Sequence, residues 1–104
     1  MKRGQVWWAR LPARAKTRPV VLVSRDEAYE RRALLMIAPV TRRIREIPAE
    51  VGVGAAEGLP GDSVANCDSL RTIRRSLLQE RIGTLGAGKL DELDRALKFA
   101  LGLD

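Results

Sequence analysis

Two residues of this 104-residue chain have the type and setting to handle a phosphate. Arg18 opens the stretch KTRPVVLVS, directly before a proline and an unbroken apolar run. Its guanidinium cannot lose its charge in a protein, and burying it unpaired is expensive. It is either a surface arginine pinned by Pro19 or a clamp at a strand mouth that meets an anion. Thr41 closes ALLMIAPVT and precedes Arg42 and Arg43. If the strands that start at Arg18 and end at Thr41 are antiparallel neighbours, a hydroxyl and a guanidinium emerge at one rim. An ordinary polar strand end has the same composition. Asp68, in VANCDSLRTI, could orient an arginine or take a proton, although an aspartate in a tight turn more often bonds its own backbone. Asn66 can share its face. Cys67 between them reads as buried rather than reactive.

Other chemistries are narrowed by what is missing. The chain has no histidine and one cysteine. Ser-His-Asp and Cys-His machineries are excluded, and a zinc site would need carboxylates alone. No metal or cofactor is therefore expected. An enzyme here must work with Arg, Asp, Glu, Thr, Ser and Tyr. A lone cysteine fits a reducing, cytoplasmic setting. No stretch approaches the ~18 apolar residues of a membrane span, and MKRGQVWW lacks the apolar segment of a signal peptide.

Charge points to a partner. The net charge is +6, and arginine supplies 15 of the 19 basic residues. Residues 1–52 carry +7 and residues 53–104 carry −1. Arginine suits bidentate phosphate contact, and no basic amphipathic helix is visible in that half, so nucleic acid ranks ahead of membrane. Trp7 and Trp8 are strand neighbours and must face opposite ways. One packs inside; the other stacks on a base or is buried between subunits.

The elements that must hold these residues are short. Gln5 to Leu11 predicts a first strand that Pro12 ends. Val20 to Ser24 predicts a central strand with Pro19 at its first position. Arg25 to Arg32 reads as a helical turn or a long connection. Ala33 to Val40 predicts another buried strand. TRRIREIPAEV alternates in part and predicts a further strand that ends at Gly52. GVGAAEGLPGD is loop. Ser63 to Cys67 and Ser69 to Ile73 read as two short strands or one bent one, and ERIGTL as the last strand. Leu90, Leu93, Leu97, Ala100 and Leu101 recur at helical spacing, with Asp91 and Glu92 expected in the first turn and Lys98 near the other end. One domain over residues 1–104 is expected, mostly β with some α: a small, strongly curved sheet or barrel packed on a terminal helix.

Together, KRGQVWWARLP, TRPVVLVSRDEAY, APVTR, GLPGDSVANCDSLRTI and ERIGTL with a C-terminal helix resemble the MazF/PemK-like toxins of bacterial toxin–antitoxin pairs, over nearly the whole chain. The resemblance implies a curved antiparallel SH3-like sheet with a helix, a homodimer, and metal-independent cleavage of single-stranded RNA. It also implies a cognate antitoxin that blocks the groove with an extended, often acidic, segment. Arg18 matches the family's catalytic arginine and Thr41 its catalytic threonine. The ribose 2′-hydroxyl would attack the adjacent phosphorus, which suits single-stranded RNA. Trp8, Arg10, Arg14 and Lys16 are candidates for RNA contact, as are Arg42, Arg43 and Asn66. Two departures bear on the proton. The loop at residues 13–17 has no acid or histidine, and Asn66 stands where some members carry arginine. Asp68 is the remaining candidate base. Two other classes share the features: a gyrase-directed CcdB-like poison with the same fold, and an SH3-like RNA- or protein-binding module.

Overall fold

Val20 to Val23 is apolar at every position because its strand is buried on both faces. In the computed structural model, which describes residues 1–12 and 16–103, Val20 and Leu22 enter one core cluster while Val21 and Val23 enter another. The alternation is the two-residue period of a strand. The first cluster adds Ala9, Leu11, Leu35, Ile37, Ile73 and Leu78, and it is closed by Ala28 and Tyr29 of a single helical turn, α1 (Ala28–Arg31). The second adds Val6, Ala38, Val40, Val51, Val53 and Ala65, and it is closed by Leu93 and Ala96 of the terminal helix, α2 (Ala87–Leu101).

Seven strands build the sheet between these clusters: β1 (Gln5–Leu11), β2 (Lys16–Leu22), β3 (Leu34–Thr41), β4 (Glu50–Val53), β5 (Ser63–Asn66), β6 (Arg71–Arg74) and β7 (Leu78–Thr84). Their order is β4-β5-β3-β2-β1-β7, with β6 also on β3, and every pairing is antiparallel. β5 and β6 follow one another along β3, separated by the turn Cys67–Ser69, so the expectation of two short strands or one bent one is met. Register slips between β1 and β7 at Val6/Trp7 and at Trp8/Ala9 are bulges, which bend a strand and raise its twist. The mostly antiparallel, curled sheet with its terminal helix is the expected fold class.

Three local expectations are corrected. Pro19 lies inside β2, not at its start. It pairs with Trp8 on the β1 side, whereas the β3 pairing begins only at Val20, so its missing N–H falls where β2 has no β3 partner. Residues 42–49 form no strand. The N–H groups of Arg45 and Glu46 donate instead to the Glu50 carboxylate, at 2.9 and 3.0 Å, and Glu46 adopts φ +56°. Helix α2 starts at Ala87, so Asp91 and Glu92 fall in its second turn and the first turn has no acid.

The loop after β4 is anchored by a buried acid. Glu57 accepts the Gly54 N–H at 2.7 Å and pairs with Lys89 at 3.5 Å. Gly83 lets β7 pass close beneath: a Cβ there would lie 2.2 Å from the Glu57 carbonyl oxygen. This anchoring carries Leu59 and Pro60 to the site described next.

Candidate active site

The site begins where the β2–β3 ladder ends. The Val23 N–H donates to the Met36 carbonyl at 3.1 Å, and the register continues through Leu22↔Ile37, Val21↔Ala38 and Val20↔Pro39. Hydrogen-bonded pairs alternate along an antiparallel ladder, so the next one after Val21↔Ala38 would be Pro19 with Val40. Proline has no N–H to give. There the strands part: Val40 and Thr41 pair with Ala65 and Val64 of β5, while Arg18 keeps its partner Ala9 in β1. Extending the register by two residues sets Arg18 across from Thr41, on the face that carries Val20. Arg18 thus ends the row Leu22–Val20 of the first core cluster, half-buried at the mouth of an apolar strand.

Two hollows flank this pair. The first, about 320 Å³, is lined by Trp8, Arg18, Pro19, Val40, Thr41, Arg42, Arg43, Leu59, Pro60 and Ser63. Half of its lining residues are apolar: an indole, two prolines, a leucine and a valine. The second, about 350 Å³, is lined by Leu11, Arg18, Pro39, Val40, Thr41, Arg43, Arg45, Asn66, Ser69 and Arg71. Arg18, Val40, Thr41 and Arg43 belong to both walls. The ridge between the hollows is the Arg18–Thr41 pair.

The electrostatics of the ridge suit an anion. Among the described residues, neither wall contains a carboxylate. Among the described residues, the ion pairs are Arg3–Asp94 and Lys89–Glu57, so none of the lining guanidiniums is neutralised. The Arg18 Nε is buried and finds no acceptor among the described residues. A donor desolvated without a partner is costly, and such groups mark places where structure serves function. Thr41 Oγ1 accepts the Arg43 N–H at 3.1 Å, which leaves its own hydroxyl hydrogen to give. Guanidinium fork and hydroxyl on one ridge form a phosphate-sized set of donors.

Not every residue singled out from the sequence reaches the hollows. Trp8, Arg18, Thr41, Arg42 and Arg43 line the first, and Asn66 lines the second. Trp7 packs against the first core cluster instead, with its Nε1 donating to Gln5 Oε1 at 3.0 Å. Arg10, opposite Thr17, and Lys16, opposite Leu11, are exposed strand residues on neither wall. Arg14 lies outside the described residues. Asp68 is exposed on the turn Cys67–Ser69 and lines neither hollow. Its N–H donates to Asn66 Oδ1 at 2.9 Å, so the side chain that caps the turn is the asparagine. Burial pushes the Cys67 thiol up to about 11, with the Asp68 carboxylate adding to the effect. Burial also raises the Tyr29 hydroxyl above its usual range; it donates to the Ser24 carbonyl at 2.8 Å. Neither group is a nucleophile at neutral pH.

The sequence reading missed Arg45, Ser69 and Arg71. Arg71 had a signal: it stands two residues before the apolar Ile73, on the same strand face, directly after the Asp68 turn. Arg45 had none, because its position depends on how the 42–49 loop is tied to Glu50.

The chain resembles known proteins along its length. Residues 2–101 match the family model described as PemK-like, MazF-like toxin of type II toxin-antitoxin system. A probable endoribonuclease, MazF2 of Mycobacterium tuberculosis, is 31% identical over 103 residues, covering 98% of this chain and 99% of that protein. The solved structure of Mycobacterium tuberculosis toxin MazF-mt6 superposes with a TM-score of 0.89 at 33% identity, covering 96% of this chain and 98% of that one. A mycobacterial endoribonuclease in complex with its cognate antitoxin superposes with a TM-score of 0.87 at 27% identity, covering 100% and 97%.

Proposed function

Since the chain belongs to the PemK-like, MazF-like toxins of type II toxin–antitoxin systems, we propose that it is the toxin of such a pair and cleaves single-stranded RNA across the Arg18–Thr41 ridge. One observation carries the assignment of the cut to this ridge. The guanidinium and the hydroxyl share it between an apolar hollow and a cationic one, with no carboxylate on either wall among the described residues. A nucleic-acid strand has the matching parts: an anionic phosphodiester with a flat base beside it.

The reaction needs no resident metal in this scheme. The ribose 2′-oxygen bonds to the adjacent phosphorus and the P–O5′ bond breaks. The products are a 2′,3′-cyclic phosphate and a 5′-hydroxyl. The 2′-proton leaves to water or a phosphoryl oxygen, and the 5′-oxygen gains one. Arg18 stabilises the charge that develops on the phosphoryl oxygens; it cannot serve as a base. Thr41 donates to the same oxygens. Asp68 is too far out on its turn to line the ridge, so this scheme assigns it no proton transfer. Trp8 and Pro60 hold a base beside the cut. Stacking of this kind contributes about 1–3 kcal/mol per base and tolerates any sequence.

The same unpaired guanidiniums form the surface that an antitoxin covers. Relatives are seen in complex with a cognate antitoxin and as MazE-MazF from Deinococcus radiodurans. An acidic segment laid over Arg42, Arg43 and Arg45 would neutralise the wall and exclude RNA.

The deciding experiment is a cleavage assay on a long unstructured RNA in EDTA, with the ends sequenced and tested for 5′-hydroxyl. Discrete cuts that vanish in Arg18→Ala are expected. Cuts that persist in Arg18→Ala would move the chemistry elsewhere. RNA binding without cutting would favour a binding module, and neither binding nor cutting a protein-directed toxin.

A further inference from the structure

The second hollow is unusual in what it offers. Arg43, Arg45 and Arg71 line it, and a guanidinium gives five N–H donors and has no acceptor. Ser69 Oγ accepts one amide hydrogen of Asn66 at 3.3 Å, which leaves the serine O–H free to donate. Asn66 Oδ1 is already taken by the Asp68 N–H at 2.9 Å. The one side-chain carbonyl on the wall therefore already holds one donor, and no carboxylate stands there among the described residues. Among the side chains, donors far outnumber free acceptors. A ligand group carrying an exposed amino donor would meet guanidinium hydrogens and few side-chain acceptors, and donors left unpaired are disfavoured.

Resting on the reading that Arg18 and Thr41 hold the scissile phosphate, we propose that this hollow is a second RNA subsite selective for groups that present acceptors alone. Two parts of an RNA meet that description: the O6/N7 edge of a guanine, which arginine contacts bidentately, and the phosphodiester next to the cut. Adenine and cytosine, which lead with an amino group, are excluded from donating into it. Arg71 is its reader. It projects from β6, a strand paired along β3, and so sits on the rigid sheet, unlike Arg43 and Arg45, which sit on the 42–49 loop. Asn66 is a positioning residue that holds the Ser69 hydroxyl in place.

The test compares wild type, Arg71→Ala and Arg71→Lys on a randomised single-stranded RNA pool. It also measures binding of an oligonucleotide with 2′-deoxyribose at the cut, which cannot react. Arg71→Ala should lose about 10- to 100-fold in cleavage efficiency. If the group is guanine, wild type requires G at one position, and both variants relax the preference at that position alone, because lysine keeps the charge but not the fork. If it is a phosphate, the motif is unchanged and Arg71→Lys is close to wild type. Arg71→Ala then lowers the slope of log affinity against log salt by about 0.7. An Arg71→Ala protein with wild-type motif, affinity and salt slope overturns the subsite. So does a wild-type requirement for A or C that Arg71→Ala relaxes. Binding to the unreactive oligonucleotide is independent of catalysis, so it stands even if Arg18→Ala still cuts.

Discussion

Pro19 stands opposite Val40 at the first hydrogen-bonding position beyond the paired part of β2 and β3, and it has no N–H to offer. The ladder stops there and β3 turns to β5. The hollow beside Trp8 opens at that gap, with Pro19 and Val40 both on its wall. Restoring the donor should close it. In Pro19→Ala, the new amide at residue 19 is expected to be protected in hydrogen exchange, as a bond to Val40 forms. Stability should change by less than about 1 kcal/mol, since a gained hydrogen bond offsets the lost rigidity of proline in the unfolded chain. RNA cleavage should fall nonetheless. An unprotected amide with undiminished cleavage would show that the proline does not hold the gap open.

The ridge itself is tested by its two donors. Thr41→Val keeps the shape, removes the hydroxyl and should lower the cleavage rate by about 10² to 10³ with little change in thermal stability. Arg18→Lys keeps the charge and loses the planar fork. It is expected to retain RNA binding and lose most of the rate. Equal rates for Arg18→Lys and wild type would mean that point charge alone suffices.

Glu50 ties down the loop that carries Arg42, Arg43 and Arg45. Its Oε1 accepts two backbone N–H groups, while its Oε2 is buried without a partner among the described residues. Glu50→Leu loses the two bonds but also relieves the unpaired oxygen, so the stability loss should stay below about 2 kcal/mol. The guanidiniums would then be poorly positioned, which raises KM for RNA more than it lowers kcat. Glu50→Gln keeps an acceptor and should restore most of the KM. A variant whose stability falls while KM stays constant would make Glu50 a purely structural residue.

The Cys67 thiol is neutral in the fold up to about pH 11, against an ordinary 9.0, chiefly because it is buried. The unfolded chain loses that proton first, so its share of stability is fully present below about pH 9 and declines as pH rises through 9 to about 11. Chemical denaturation across that window should show the decline, and Cys67→Ala should flatten it while lowering stability at neutral pH through the cavity it leaves. Native protein should also resist alkylation at pH 8. Rapid alkylation without unfolding would contradict the burial.

Much of the site was legible because it is written in local chemistry. An arginine before a proline and an apolar run, and a threonine closing another run that contains a proline, are both strand-end signals. Pro19 marks where the β2–β3 ladder fails, whereas Pro39 sits inside β3 and keeps Val20 as its partner. The family resemblance tied the two together, and the β2–β3 register, carried two residues past Val20↔Pro39, sets them across from each other. The strand expected from Thr41 to Gly52 forms only from Glu50 onward, as β4; residues 42–49 were not legible as loop, because partial alternation looks like a strand until Glu50 is seen to take the backbone hydrogens of Arg45 and Glu46. Asp68 was attractive by type and neighbourhood alone. Which of Asn66 and Asp68 faces the hollow depends on the direction of one turn.

The family resemblance put forward the pair Arg18 and Thr41; the sequence by itself determined a mostly β domain with a terminal helix, a basic N-terminal half and a chemistry without histidine. These follow from residue type, period and proline placement, which act over a few residues. Only the tertiary structure decided that Trp8 rather than Trp7 faces the site. It alone brought Arg45, Ser69 and Arg71 from separate segments onto one wall, and it alone left Asp68 outside. Those outcomes rest on how β3 changes partners and on how a bent β5–β6 edge runs beside it. Such long-range pairings are set by burial on both faces of the sheet at once, and no short window of sequence contains them.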